Sequence, residues 1–113
     1  MFLEILKIIA AVGTLVTGLY ALVRPRAVYG FTGLTTSGPR GITEIRAVLG
    51  GAFIGLGVIA LVLRVPAAYQ TVGAMYLAIA AVRAVTMFID RSLMPSNWIS
   101  LAVEVVFGAV LVL

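Results

Sequence analysis

Apolar residues run along this chain in four blocks, separated by short stretches that combine charge with proline or glycine. A hydrocarbon core of roughly 30 Å takes about twenty helical residues at a rise of about 1.5 Å each. On that measure Leu3 to Val23, Glu44 to Leu63, Ala67 to Ile89 and Asn97 to Leu113 are the expected helices. The punctuation agrees, since Arg24-Pro25-Arg26, Arg64-Val65-Pro66 and Asp90-Arg91 through Met94-Pro95-Ser96 fall between the blocks. Proline breaks a helix interior, and charge is costly away from the membrane surface. Pro66 follows so soon after Leu63 that the second and third helices are expected to turn back on each other as a tight antiparallel hairpin. The pattern predicts an all-α fold: an integral-membrane four-helix transmembrane bundle, up-down and antiparallel, forming a single transmembrane domain over residues 1–113.

The connection from Arg24 to Thr43 is different. Gly30, Gly33, Gly38, Pro39 and Gly41 alternate there with Thr32, Thr35, Thr36 and Ser37, which excludes a membrane-crossing helix. Val28, Tyr29, Phe31 and Leu34 give the same stretch apolar anchors, so this Gly-rich loop between helices 1 and 2 is expected to fold back as an interfacial segment or re-entrant lid. Lys7 interrupts the first block near enough to its end to snorkel, with Glu4 beside it. A cleaved leader is the alternative for this block. Its apolar run is longer than a leader core, and Arg24-Pro25-Arg26 resembles a stop-transfer end, so the helix is expected to be retained.

Composition sharpens the picture. With 63% of its 113 residues hydrophobic and 11% charged, and a mean hydropathy of +1.21, the chain cannot cover a soluble surface with polar groups. It has neither cysteine nor histidine, which excludes disulfide scaffolds, thiolate zinc sites, histidine triads and histidine-ligated haem within the chain itself. No metal ligand set is present. The net charge of +4 is expected to lie in loops one and three, through Arg24, Arg26, Arg40 and Arg91, facing the cytoplasm and its anionic lipids, with both termini outside. Nucleic acid is not an expected partner, because the basic residues only flank the membrane blocks.

Two ionisable residues stand inside the apolar blocks, where a charge costs about 2.5 to 3.5 kcal/mol. Arg83 is about seven residues before the last connection and Glu104 about eight after it. Antiparallel neighbours would therefore bring them to similar depth and allow a direct ion pair. Glu44 and Arg46, at the start of the second block, are expected on the same side of the bundle, giving a polar cluster of Glu44, Arg46, Arg83 and Glu104. Such a cluster either fixes helix register or binds a ligand. Thr43 or Thr35 is a candidate helix cap. Ala47, Gly51 and Gly55 recur every four residues, with Gly50 and Gly57 beside them. Small residues let membrane helices approach closely, so this stripe is expected to pack within the bundle or to face a second copy in a homo-oligomer. Tyr20, Tyr29, Tyr76 and Trp98 read as interfacial anchors, with Tyr76 the one placed to line a cavity.

Gly18-Leu19-Tyr20-Ala21-Leu22 with Pro25, Glu44-x-Arg46 followed by Gly50-Gly51, Gly55 and Gly57, and then Arg83 and Glu104 resemble a bacterial family of small four-pass membrane proteins, known only as a domain of unknown function and distantly DoxX-like. The resemblance covers nearly the whole chain. It implies a four-helix transmembrane bundle with Glu44, Arg46, Arg83 and Glu104 as signature polar positions, in a bacterial inner (cytoplasmic) membrane. It implies no reaction. The abrupt end at Leu113 departs from the pattern and leaves the last helix short, so that either the helix is incomplete or it needs a partner to match the bilayer.

Three functions are open on these residues. The first, which small size and composition favour, is an accessory or structural subunit packing against other integral membrane proteins in a larger complex, and the others are alternatives to it. The second is a binding or transport module in which the Glu/Arg cluster holds a lipid or quinone-like amphipathic molecule, with no other cofactor. The third is a membrane enzyme using Glu44 or Glu104 as proton acceptor, and it is the least expected because the carboxylates are so few.

Overall fold

A computed structural model describes all residues 1–113. The chain is helical without strands, and four helices are long and apolar enough to cross a membrane: Phe2–Val23, Pro39–Leu63, Pro66–Ile89 and Pro95–Val112. We refer to them as the first to fourth helices. Three of them open on proline at the first helical position, where its missing N–H removes no hydrogen bond and its fixed φ suits the helix. Two starts therefore fall one or two residues ahead of the expected ones, at Pro66 and Pro95.

The second helix departs further from expectation. It starts at Pro39, not Glu44, with Gly38 as its N-cap and no side-chain cap, so neither Thr43 nor Thr35 serves that role. Its early part, Ile45–Gly50, is wound as a π-helix before α geometry resumes at Gly51. The expected loop shrinks accordingly. Pro25–Ala27 forms a 3-10 turn and Val28–Thr32 a short α-helix. Gly33, at φ +76°, closes that helix by donating its N–H to the Tyr29 carbonyl at 2.9 Å. This left-handed position is one that glycine takes without steric cost. Of the expected apolar anchors, Val28 is buried with Ala21 and Ile45 against Tyr29 and Leu49, while Phe31 and Leu34 stay exposed. The Tyr29 hydroxyl meets that of Thr36, pinning the remaining loop.

The chain divides into two compact units, Ala11–Leu63 and Met1–Ala10 with Arg64–Leu113. In Ala11–Leu63, a Cβ on Gly18 would stand 2.6 Å from the Ile54 nitrogen and 2.7 Å from the Gly50 oxygen, and one on Gly57 would stand 2.7 Å from the Leu15 nitrogen. The two backbones approach so closely that only hydrogen fits. Lipid offers helices no hydrophobic reason to associate, so such approach supplies the dispersion contact that holds them. Gly50 and Gly57 carry this packing. The expected stripe takes no part in it: Gly51 and Gly55 would meet nothing within 4 Å, and Ala47 is exposed. Two adjacent rows of small residues run along the helix, and Gly18 and Leu15 use the row of Gly50 and Gly57.

In the other unit the third and fourth helices form an antiparallel hairpin. Gly73 meets Leu111 and Val112, Gly108 meets Leu77, and Tyr76 packs edge-on to Phe107 with centroids 5.6 Å apart. Tyr76 is therefore a buried packing residue. The connection begins with a helix stop in which the Ser92 N–H reaches the Met87 carbonyl at 2.9 Å and the Arg91 N–H reaches that of Phe88 at 3.4 Å. This is the Schellman arrangement, with Arg91 at φ 54° in the position glycine usually fills.

Candidate functional site

Arg83 stands six residues before the end of the third helix at Ile89, and Glu104 nine residues after the start of the fourth at Pro95. At about 1.5 Å per residue both lie on the order of 10 Å inside the connected helix ends. The hairpin brings them together as the sequence leads one to expect. Arg83 Nε donates to Glu104 Oε1 at 2.8 Å and Oε2 at 3.1 Å, while Nη2 donates to Oε2 at 2.7 Å. Such a fork-to-fork contact is the strongest geometry an arginine offers a carboxylate.

A third member extends the pair. Arg83 Nη1 donates to Asn97 Oδ1 at 2.8 Å, and Asn97 Nδ2 donates to the Ser92 carbonyl at 2.8 Å. A chain of hydrogen bonds thus runs from Ser92, placed by the helix stop, to Glu104 within the fourth helix. Asn97 and Glu104 are seven residues apart, two turns of helix on one face. That spacing was the signal by which Asn97 could have been found. No buried side-chain nitrogen or oxygen is left without a partner.

Beside the arginine lies an open cleft of about 530 Å³. Arg83, Thr86, Asp90, Ser92 and Asn97 form its polar side, and Ala78, Ile79, Val82 and Met87 its apolar side. Arg83, Thr86 and Asp90 follow one face of the third helix at steps of three and four. The apolar residues mostly lie deeper along that helix, and the polar ones cluster at its end and in the connection. The cleft therefore changes from polar to apolar with depth. Its size falls in the range of small-molecule sites, about 300 to 1,000 Å³.

Glu44 and Arg46 belong to the other compact unit, and the structure gives Glu44 a local partner. Arg40 Nη1 donates to Glu44 Oε2 one helical turn away, and both side chains are exposed. Arg46 is exposed as well. A second polar group, unmarked by sequence, sits where the first and third helices begin. The Tyr69 hydroxyl donates to Glu4 Oε1 at 3.1 Å, and Lys7 Nζ lies 5.5 Å from the centre of the Tyr69 ring. Lys7 is buried, so its ammonium rests on an aromatic face and does not simply snorkel. Trp98 stays exposed and packs edge-on with Phe88, with ring centroids 6.5 Å apart.

Four apolar helices, with an intramembrane arginine–glutamate pair in one hairpin, define a small membrane protein in contact with lipid. Over residues 2–113 the chain matches DUF4345, a domain of unknown function, and it belongs to that family. No curated protein and no solved structure matches it.

Proposed function

We propose that the protein is a membrane-embedded binding module for an amphipathic molecule, a lipid or quinone-like compound, seated in the cleft beside Arg83. The cleft itself carries this reading. It is open, it grades from Asp90 and Ser92 to Ile79 and Val82, and it has a guanidinium in its wall. A ligand with a polar head and an apolar tail matches that gradient. The Glu104 carboxylate holds the guanidinium in place, so the donor is presented already oriented.

The test is purification from membranes in mild detergent, followed by mass spectrometry of retained small molecules, for the native chain and for the double variant R83M/E104L. The double variant replaces a buried pair by apolar groups, an exchange the fold often tolerates. Loss of a reproducible ligand with helicity unchanged is the expected result. Retention of the same ligand would overturn the reading.

A second reading, an accessory subunit of a larger membrane complex, draws on the outward row Ala47, Gly51 and Gly55, which offers a neighbouring helix close approach. Stoichiometric protein partners lost on Gly51→Leu would favour it. Basic loops would in either case face the cytoplasm of a bacterial inner membrane, with both termini outside. Single cysteines introduced at the termini of this cysteine-free chain, labelled from one side, test that orientation.

A further inference from the structure

The chemistry of the cleft walls narrows the ligand. Arginine has five N–H protons. The contacts to Glu104 and Asn97 use one on Nε, one on Nη1 and one on Nη2, leaving one on each terminal nitrogen. Arg83 keeps 30% of its side-chain surface accessible, against 10% for Glu104, and Arg83 is the partner that lines the cleft. An N–H facing hydrocarbon is costly, so this surface calls for an acceptor.

The charge balance argues against a simple anion. Glu104 already offsets the Arg83 charge, and the exposed Asp90 carboxylate adds a negative group at the mouth. Arg91, the next residue, does not line the cleft. A head group with only negative charge would meet acceptor-hungry protons at Arg83 and repulsion at Asp90. Asp90 follows Arg83 by seven residues on the same helix face, about 10 Å along the axis. One extended head group, with an acceptor at its inner end and a hydrogen-bonding cation at its outer end, satisfies both walls.

Resting on the binding reading above, we infer that the cleft takes a zwitterionic lipid with a primary-amine head group, its phosphate at Arg83 and its ammonium at Asp90. The ammonium matters because a quaternary amine carries the same charge but cannot donate to the carboxylate. Phosphatidylethanolamine is therefore preferred to phosphatidylcholine, and both to phosphatidylglycerol.

The full-length protein is placed in nanodiscs with equal parts of these three phospholipids, and the lipids that remain bound on release are counted by native mass spectrometry. Retention of the ethanolamine lipid about fivefold over the glycerol lipid is expected, the size of one partly exposed ion pair. Asp90→Asn, at an exposed helix end, should level that ratio while leaving helicity unchanged. Equal or greater retention of phosphatidylglycerol, or a ratio unmoved by Asp90→Asn, overturns the inference and leaves the binding reading standing. Retained lipid no higher than in R83M/E104L removes both.

Discussion

The chain contains two arginine–glutamate pairs of opposite character. Arg40 and Glu44 are four residues apart on one helix, with 81% and 54% of their side chains exposed. Arg83 and Glu104 come from two helices, are 30% and 10% exposed, and are locked by forked hydrogen bonds and by Asn97. The same two side-chain types thus do different jobs. A local pair on an open surface gains little, because the helix exists already and solvent competes for both charges. The pair between helices costs more to bury, and having been buried it cannot lose one member cheaply. Its value is specific: of all registers available to two smooth apolar helices, it favours the one that matches these groups in depth.

The largest effect is expected at Glu104. Glu104→Ala leaves Arg83 without its carboxylate and should destabilise the hairpin by about 3 to 5 kcal/mol, read by reversible unfolding in bilayers or mixed micelles. Glu104→Gln keeps an acceptor and should lose clearly less; equal losses would mean that the contact is not what holds the register. Packing alone comes next. Gly57→Ala drives a methyl into the Leu15 backbone and should cost about 1 to 3 kcal/mol, whereas Gly51→Ala, facing open space, should be neutral or slightly stabilising in the same assay. A Gly51→Ala loss as large as that of Gly57→Ala would reverse the assignment of the two glycine rows. The smallest change belongs to the exposed pair: Glu44→Ala should shift stability by no more than about 0.5 kcal/mol, and added salt should shrink even that.

The contrast also explains what could be read from the residues in order. Block length and proline marked the four helices, and counting back from a shared connection paired Arg83 with Glu104, because a charge inside an apolar block has few affordable partners. Glu44 was open to misreading. Pro39 and Arg40 sit among glycines and look like loop, yet proline starts a helix well, and once the helix begins there Arg40 falls one turn before Glu44. The choice between Gly50 with Gly57 and Gly51 with Gly55 turned on the partner's shape at Gly18 and Leu15, which no period within one helix encodes. Tyr69 carries no mark in the sequence, and Asn97 only its spacing to Glu104, for a related reason. Each is a single polar residue in an ordinary context, and only the helix opposite supplies Glu4 or Arg83.

The π-wound stretch Ile45–Gly50 bears on how the second helix tolerates a change of length. Its hydrogen bonds span five residues where an α-helix spans four, so it stores one residue more than a regular turn. Such a turn is how a continuous helix absorbs an inserted amino acid without moving either end. Removing one residue from Ile45–Gly50 should restore plain α winding while Arg40 stays with Glu44 on one side and Gly57 with Leu15 on the other. The segment is thus a place where this chain can lose one residue and keep its contacts on both sides of the change.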